Sequence, residues 1–323
     1  MDNVDARPGP PSGAQWTIAA DGHEAVVVEV GGGLRAYRAG GVDYVDGYAE
    51  DELCVGGAGQ VLAPWPNRIR DGRYTFAEVT RQLHLSEPDR HTALHGLVCW
   101  LPWQLISKTA DEVVIGCTLF PHPGYPWSLV LRTRWAVGAD GLRVTHQVTN
   151  ASVEPAPFGL GVHPYLRLPD TMVDDVTLHL PARSRLLVDG RLLPIGAAKV
   201  AGGEYDFTKP RRIGPVVLDT AFGDLDRDPS GGSAVRLSNQ DGSAGVTLWA
   251  DAAFGWWQLF SGDTFAEPRY RRSVAVEPMT CPPDAFRSGR DLIVLAPAET
   301  WQASWGIRPG QDPAGPGQES EGR

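Results

Sequence analysis

Hydrophobic and polar residues alternate in short runs along much of the chain, and positions 142–149 show the pattern most clearly. Every second position from Leu142 to Val148, including His146, falls on one face of an extended segment, and polar residues fall on the other. Ala139-Asp140-Gly141 precedes this run and is typical of a β-hairpin turn. The pattern therefore predicts a strand here, paired with the apolar run before the turn.

Similar β-rich runs bounded by turn residues recur along the chain. They lie at 25–30, 74–83, 112–119, 129–137, 142–149, 176–180, 234–237, 246–250, 256–260, 273–277 and 301–307. No segment keeps a 3.6-residue apolar period for three turns, and only 282–286 is expected to form a single helical turn. Many short strands with few helices predict an all-β fold, an antiparallel β-sandwich.

Domain boundaries follow from the two ends of the chain. Residues 1–14 and 309–323 are rich in Pro, Gly and Ser or polar residues and lack periodicity, so we expect disordered tails there. Nothing between positions 15 and 308 resembles a linker. A single domain over 15–308 is therefore predicted.

Charge and cysteine content exclude several classes of function. The net charge of −10 argues against nucleic acid and anionic membranes as partners. No apolar run approaches the roughly 20 residues of a membrane span, and no signal peptide is apparent, so we expect a cytoplasmic protein that acts on a small molecule. The four cysteines lack CxxC spacing, which favours reduced thiols over a disulfide framework or a zinc site.

Candidate acid–base chemistry is found in two distant stretches. His163 lies between the Gly-rich run that ends at Gly161 and the pair Pro164-Tyr165, which favours extended backbone. Histidine titrates near neutrality and is a common general acid or base, although a structural His at a strand end is an equally good reading of this stretch alone. Glu277, which ends an apolar run, is a candidate partner.

Three further segments place polar side chains where a plain sandwich does not need them. Arg68 follows Asn67 in a proline-rich stretch and offers fixed donors for hydroxyl oxygens. His95 precedes Gly96, which permits close approach of a ligand, and Asp219 follows an apolar run. Arg70 is interpreted instead as part of a surface turn paired with Asp71.

Five motifs carry a resemblance to a known family. In chain order they are Asn67-Arg68-Ile69, Leu94-His95-Gly96, Gly161-Val162-His163-Pro164-Tyr165, Leu218-Asp219 and Val276-Glu277-Pro278. This order resembles the aldose 1-epimerases, the galactose mutarotase family, over roughly residues 15–308. The resemblance implies a large antiparallel β-sandwich of the galactose mutarotase-like supersandwich type, with few short helices and the sugar site in a groove on one sheet.

The resemblance also implies roles for individual residues. His163 matches the general acid and Glu277 the general base, while Arg68, His95, Asp219 and Asn67 match substrate-binding positions. Ring opening of a hemiacetal removes the proton of the C1 hydroxyl and delivers one to the ring oxygen, so an acid and a base suffice, with neither metal nor organic cofactor. We expect nearby carboxylates to hold the pKa of His163 up.

The native sugar is less well defined than the catalytic pair. Glucose, galactose or a modified hexose is implied by the family. Departures from the best-known members, such as Arg90-His91-Thr92-Ala93 before the Leu-His-Gly motif and Leu166 after His-Pro-Tyr, resemble a bacterial subgroup that includes mutarotases of unusual sugars such as sulfoquinovose. A sulfonate needs an additional cation. The candidates Arg90, Arg269, Arg271 and Arg272 are interpreted here as solvated surface charges.

Other functions are weighed against mutarotation. A non-catalytic sugar-binding or sensing sandwich does not require an acid opposite a base, and a glycosidase ordinarily uses two carboxylates. A metal site formed by His95, His163 and Glu277 lacks clustered ligand spacing. The sequence leaves open whether Trp65, Trp256 or Trp257 lines the pocket, and it is compatible with a monomer or a homodimer.

Overall fold

A computed structural model describes residues 9–310 of the 323-residue chain. The strands in this range are, in chain order, β1 Gln15–Ala20, β2 His23–Val28, β3 Leu34–Ala39, β4 Val42–Asp43, β5 Val61–Leu62, β6 Arg68–Arg70, β7 Arg73–Phe76, β8 Val79–Gln82, β9 Thr92–Leu94, β10 Gln104–Lys108, β11 Glu112–Leu119, β12 Leu129–Gly138, β13 Gly141–Asn150, β14 Ala156–Phe158, β15 Gly161–Val162, β16 Tyr165–Leu166, β17 Thr177–His179, β18 Ala182–Val188, β19 Pro194–Lys199, β20 Arg211–Arg212, β21 Asp219–Leu225, β22 Ser233–Ser238, β23 Gly245–Ala250, β24 Trp256–Phe260, β25 Val274–Met279, β26 Ile293–Leu295 and β27 Thr300–Pro309.

Helical structure within the described residues is confined to single turns. Two 3₁₀ turns cover Pro88–Arg90 and Val173–Asp175, and one α-helical turn, α1, covers Ala285–Ser288. The turn expected at 282–286 is therefore displaced toward the C-terminus. Asp284 precedes α1 with a left-handed φ of 63°, so a helix cannot extend back through it. None of the helices in this part of the chain is long and apolar enough to cross a membrane.

Two large antiparallel sheets dominate the molecule. One has nine strands in the order β10-β11-β12-β13-β27-β23-β22-β17-β20. The other has eight, in the order β19-β18-β21-β24-β25-β15-β5, with β16 pairing with β25. The predicted all-β sandwich with very few helices is confirmed, and the hairpin predicted around Ala139-Asp140-Gly141 joins β12 to β13.

The core lies between these two sheets. In β13, Leu142, Val144, His146 and Val148 are all buried, as their alternation predicts. Apolar side chains of both large sheets belong to one hydrophobic cluster, and burial of such surface contributes roughly 25 cal/mol per Å². The second sheet is thereby held rigidly along one face, and its strands carry the functional groups described below.

Several strands of the structure differ from those predicted by the sequence. The run expected at 74–83 is a hairpin, β7 and β8, because Ala77 and Glu78 adopt left-handed φ values of 49° and 63° and reverse the chain. β1, β3, β18 and β19 were not predicted. In β19 only intermediate or exposed residues occur, so no buried face marks it in the sequence.

The inner ends of both predicted tails belong to the folded structure. Near the N-terminus, the Ser12 carbonyl accepts a hydrogen bond from the Val30 N–H at 2.9 Å, and the Ala14 carbonyl accepts one from Glu29. At the other end β27 continues to Pro309, and the Gly310 N–H donates to the Gly245 carbonyl. The rest of the expected tails, residues 1–8 and 311–323, lies outside the described residues.

Candidate active site

One cavity of about 350 Å³, termed here the central pocket, opens beside strands β21, β24 and β25 and the segments around residues 56–60, 86–95 and 264–265. All six site residues predicted from the sequence line this pocket. They are Asn67, Arg68, His95, His163, Asp219 and Glu277. Residues separated by more than 200 positions in the chain are therefore brought together beside the eight-stranded sheet.

The predicted acid and base face each other. His163 Nε2 lies 3.3 Å from Glu277 Oε1, and the side chains are only 7% and 3% exposed. His163 Nδ1 and Glu277 Oε2 are buried and have no hydrogen-bond partner among the described residues. Since buried polar atoms are normally paired, these two groups retain unused hydrogen-bonding capacity inside the pocket.

Backbone contacts fix the position of the imidazole. The His163 N–H donates to the Gln60 carbonyl at 3.2 Å, and its carbonyl accepts from the Gly59 N–H at 2.9 Å. The Tyr165 ring stacks on the imidazole with centroids 5.0 Å apart. Gly57 has a φ of +73°, and a Cβ there would lie 3.2 Å from the imidazole ring, so glycine allows the loop to pack against His163. The histidine is thus held on several sides before any ligand binds.

Burial disfavours the charged forms of both members of the pair. It lowers the pKa of His163 to about 4, with the Arg68 guanidinium lowering it further. It raises the pKa of Glu277 well above its usual range, and Asp219 adds to this effect. The expectation that carboxylates hold the pKa of His163 up is therefore wrong, because loss of hydration is the largest effect on this pKa and lowers it.

His95 is a neutral hydrogen-bond donor at the pocket wall. Its Nδ1 accepts the Asn67 backbone N–H at 3.3 Å, and the His95 backbone N–H donates to the Asn67 carbonyl at 2.9 Å. Burial lowers the pKa of His95 well below its ordinary value, so the single ring proton resides on Nε2. Both residues have left-handed φ values, 62° for His95 and 55° for Asn67, a conformation that recurs at functional sites.

Arg68 is oriented by a carboxylate that the sequence analysis missed. Glu87 accepts two hydrogen bonds from the Arg68 guanidinium, at 2.7 and 2.9 Å, and one from Arg90 at 2.8 Å. The Thr92 hydroxyl donates to the same carboxylate at 2.7 Å. Bidentate pairing fixes the plane of the guanidinium. No sequence signal marks Glu87, which lies in a short polar turn.

Asp219 on the second large sheet has one side-chain partner. The Gln258 amide donates to Asp219 Oδ1 at 2.7 Å. Burial raises the pKa of Asp219, and this effect outweighs the opposing attraction of Arg68. Gln258 lies opposite Glu277 in the β24–β25 register and was also missed, because a Gln inside an apolar strand has no distinctive pattern.

The arginines differ from their sequence-based interpretation. Arg90 lines the central pocket, and Arg271 is 6% exposed and paired with carboxylates, so neither is a solvated surface charge. Arg269 and Arg272 both lie near Asp46, with Arg272 hydrogen-bonded to it. Arg70 pairs with Asp189 and Asp284 rather than with Asp71. Local spacing did not reveal these partners, which come from distant segments.

The three tryptophans considered as pocket residues from the sequence do not line the central pocket. Trp65 and Trp257 are buried in the hydrophobic core, and Trp256 borders a separate surface cavity. Trp100 instead lines the central pocket while remaining 55% exposed. Within residues 9–310 no group of three or more His, Cys, Asp or Glu side chains is arranged to hold a metal ion.

Comparison with known proteins is consistent with this arrangement. A family model for aldose 1-epimerases matches residues 14–308 of this chain. The chain belongs to the aldose 1-epimerase family. Its relatives include YihR of Escherichia coli K12, an uncharacterized protein that is 33% identical over 285 residues, covering 88% of this chain and 89% of YihR.

A probable aldose 1-epimerase from Arthroderma benhamiae is 27% identical over 177 residues, covering 48% of this chain and 40% of that protein. Solved structures resemble the chain over most of its length. The GalM/aldose epimerase homologue from C. elegans has a TM-score of 0.82 at 16% identity, covering 92% of this chain and 99% of that one. Galactose 1-epimerase from Lactobacillus acidophilus has a TM-score of 0.77 at 21% identity, covering 92% and 94%. The resemblance to the aldose 1-epimerase family and the predicted galactose mutarotase-like fold are confirmed.

Proposed function

We propose that this aldose 1-epimerase family member is a mutarotase that interconverts the α and β anomers of a free hexose. The observation that carries the proposal is the contact between His163 and Glu277, in which two buried groups capable of proton transfer face each other with an unpaired atom each. A site that only binds sugar does not need two proton-transfer groups facing each other at 3.3 Å, whereas ring opening needs an acid and a base together.

The proposed reaction is an exchange of protons across the hemiacetal. Glu277 removes the proton from the C1 hydroxyl, and His163 delivers one to the ring oxygen, which opens the ring. Rotation about the C1–C2 bond presents the other face of the aldehyde, and the same groups act in reverse to close it. Ring opening and closure require only proton transfers, so the proposed mechanism uses no metal or organic cofactor.

The pair carries the proton that this mechanism needs. The pKa directions place it on Glu277 in the free site, with His163 neutral. Moving that proton across the 3.3 Å contact yields the carboxylate and imidazolium used in ring opening. The pair therefore titrates as a unit, and its two apparent pKa values belong to both groups.

Three polar groups are proposed to hold the sugar. Neutral His95 offers its Nε2–H, Arg68 offers guanidinium donors oriented by Glu87, and Asp219 accepts from hydroxyl groups. Asn67 acts through His95 by holding its tautomer. Together they would orient C1 between the acid and the base, which is where orientation lowers the barrier.

The identity of the hexose is proposed from the charge of one wall. Arg68 and Arg90 both contact the carboxylate of Glu87, so two guanidinium groups lie together on one wall of the pocket. These cations support a hexose with an anionic substituent, such as sulfoquinovose, as a candidate beside glucose and galactose. We propose no preference between the neutral sugars.

The test follows anomeric equilibration directly. Pure α-anomers of glucose, galactose and sulfoquinovose are dissolved separately, and the approach to equilibrium is recorded by NMR with wild-type protein, Glu277→Ala and His163→Ala. We expect wild type to accelerate at least one sugar and both variants to lose most of that acceleration. Acceleration of none, with a sugar signal still broadened by binding, would instead support a non-catalytic sugar-binding protein.

A further inference from the structure

A second group of arginines lines a separate cavity of about 430 Å³, termed here the arginine cleft. Its cationic side chains are those of Arg35, Arg38, Arg167, Arg269 and Arg272. Three carboxylates line it as well, so the cleft has an excess of two positive charges on a chain whose net charge is −10. Local charge of this sign concentrates anions.

The three carboxylates are already paired with three of the arginines. Arg38 bonds to Asp43 at 3.0 Å. The Arg272 Nε donates to buried Asp46 at 3.2 Å. Arg269 lies 3.5 Å from Glu52. No carboxylate that lines the cleft is left to neutralise the remaining two guanidinium groups.

Arg35 and Arg167 therefore lack an acidic partner. Arg35 donates only to the Tyr48 carbonyl, at 2.9 Å, and the Arg167 side chain makes no hydrogen bond or ion pair within residues 9–310. The Nε atom of each is buried and unpartnered. Arg271 is the contrast, because its buried guanidinium contacts both Asp174 and Asp263.

An unpaired, partly buried guanidinium is costly, and a bound anion removes that cost. We propose that the arginine cleft binds a phosphate- or sulfate-type oxyanion, either free or as the monoester of a small metabolite, between Arg35 and Arg167. Guanidinium groups suit this chemistry because their planar donors match two oxygens of such an anion. The volume of the cleft lies in the range of small-molecule sites.

The cleft is distinct from the central pocket, and strand β16 lies between the two. The two cavities share no lining residue. Tyr165, at the start of β16, stacks on His163, whereas Arg167 directly follows β16 and lines the cleft. The Asp46 N–H donates to the Tyr165 carbonyl at 2.8 Å, so the wall of the cleft is bonded to the strand that supports the histidine.

Calorimetric titration with inorganic phosphate at constant ionic strength tests the proposal. We expect saturable binding of one anion per wild-type chain, weakened about tenfold or more in the double variant Arg35→Gln/Arg167→Gln. The matched control is Arg134→Gln/Arg183→Gln, which removes two exposed charges that have carboxylate partners and is expected to bind as wild type does.

A single variant separates the cleft from the central pocket, where Arg90 also offers a cation. Arg90→Gln is expected to keep phosphate binding. Loss of binding in Arg90→Gln, retention in the cleft double variant, or absence of saturation in wild type would each overturn the proposal. Titration with glycerol 3-phosphate, a monoester without the hexose ring that the central pocket is proposed to bind, then distinguishes the sources, since binding tighter than that of phosphate identifies a monoester and equal or weaker binding identifies the free anion.

A crystallographic measurement on wild type covers the case in which the double variant does not fold. Selenate, which resembles sulfate and scatters anomalously, is soaked into crystals of the full chain. An anomalous peak between Arg35 and Arg167 supports the oxyanion site. A peak only elsewhere, or none, overturns it.

Discussion

Two buried histidines in this molecule differ in what surrounds them. His146 lies in the nine-stranded sheet and is 1% exposed, and His163 lies in the central pocket and is 5% exposed. Both ring nitrogens of His146 are used, since Nδ1 is 2.9 Å from the Thr133 hydroxyl and Nε2 accepts from the Trp305 indole N–H at 2.9 Å. His163 has an unpartnered Nδ1 and a carboxylate facing Nε2.

The difference shows that burial by itself does not identify a functional histidine. Burial lowers the pKa of both, to about 3 for His146 and to about 4 for His163. What separates them is satisfaction of hydrogen-bonding capacity, which is complete in the core and incomplete in the pocket. Unused capacity next to a second proton-transfer group is what a reaction can employ.

The largest expected effect is on the mutarotation rate, in a variant of His163. His163→Gln removes the proposed acid, so we expect the mutarotation rate to fall roughly 100- to 10,000-fold, the usual contribution of general acid catalysis. The rate is measured by polarimetry on a fresh anomer of the sugar that wild type accelerates. His146→Gln is the matched control and is expected to stay within a few-fold of wild type per folded molecule. Equal losses in the two variants would contradict the assignment.

For the free energy of unfolding, the larger loss is expected at His146 rather than at His163. His146→Ala leaves Thr133 and the Trp305 indole without their partner and opens a cavity, so we expect a loss of about 2–4 kcal/mol in the free energy of unfolding. His163→Ala is expected to cost less, because Nδ1 of its ring is unpartnered and only the Glu277 carboxyl faces Nε2. Urea denaturation followed by tryptophan fluorescence measures both. A costlier His163→Ala would count against the distinction drawn here.

A variant of Glu87 tests whether sugar binding depends on the contacts that orient Arg68 and Arg90. Glu87→Gln removes the charge that orients Arg68 and Arg90, and we expect the KM for the sugar to rise about tenfold, as loss of a charge-assisted hydrogen bond predicts. The partly exposed carboxylate Glu112, which pairs with Arg134 outside the pocket, supplies the control Glu112→Gln, for which no change in KM is expected. A fall in kcat with unchanged KM would show that Glu87 acts on the reacting atoms instead.

A final prediction concerns the pH dependence of stability at His146. Its folded pKa of about 3 lies below the ordinary value near 6.5, so the unfolded chain binds more protons between these values. The stability contributed by the neutral ring is complete above about pH 6.5 and is lost as the pH falls toward 3. The difference in unfolding free energy between wild type and His146→Gln should therefore shrink with falling pH. A constant difference from pH 7 to pH 4 would contradict it.

Local patterns were sufficient for much of the fold. The strands Glu112–Leu119 and Trp256–Phe260 have the predicted bounds, because their composition and flanking turns are short-range features. Strands without a buried face, such as β19, and the turn at Ala77-Glu78 were not predicted. Their structure depends on pairing with other segments and on backbone conformations that residue type only weakly favours.

For the pocket, the sequence by itself determined the fold family and the six residues that line it, because each lies in a short motif with a fixed chain order. The tertiary structure decided how these residues are oriented and how their surroundings affect their charge. Glu87 orients Arg68, and burial reverses the expected direction of the His163 pKa. Hydration and through-space partners are properties of the packed chain, since they depend on which distant segments surround a group.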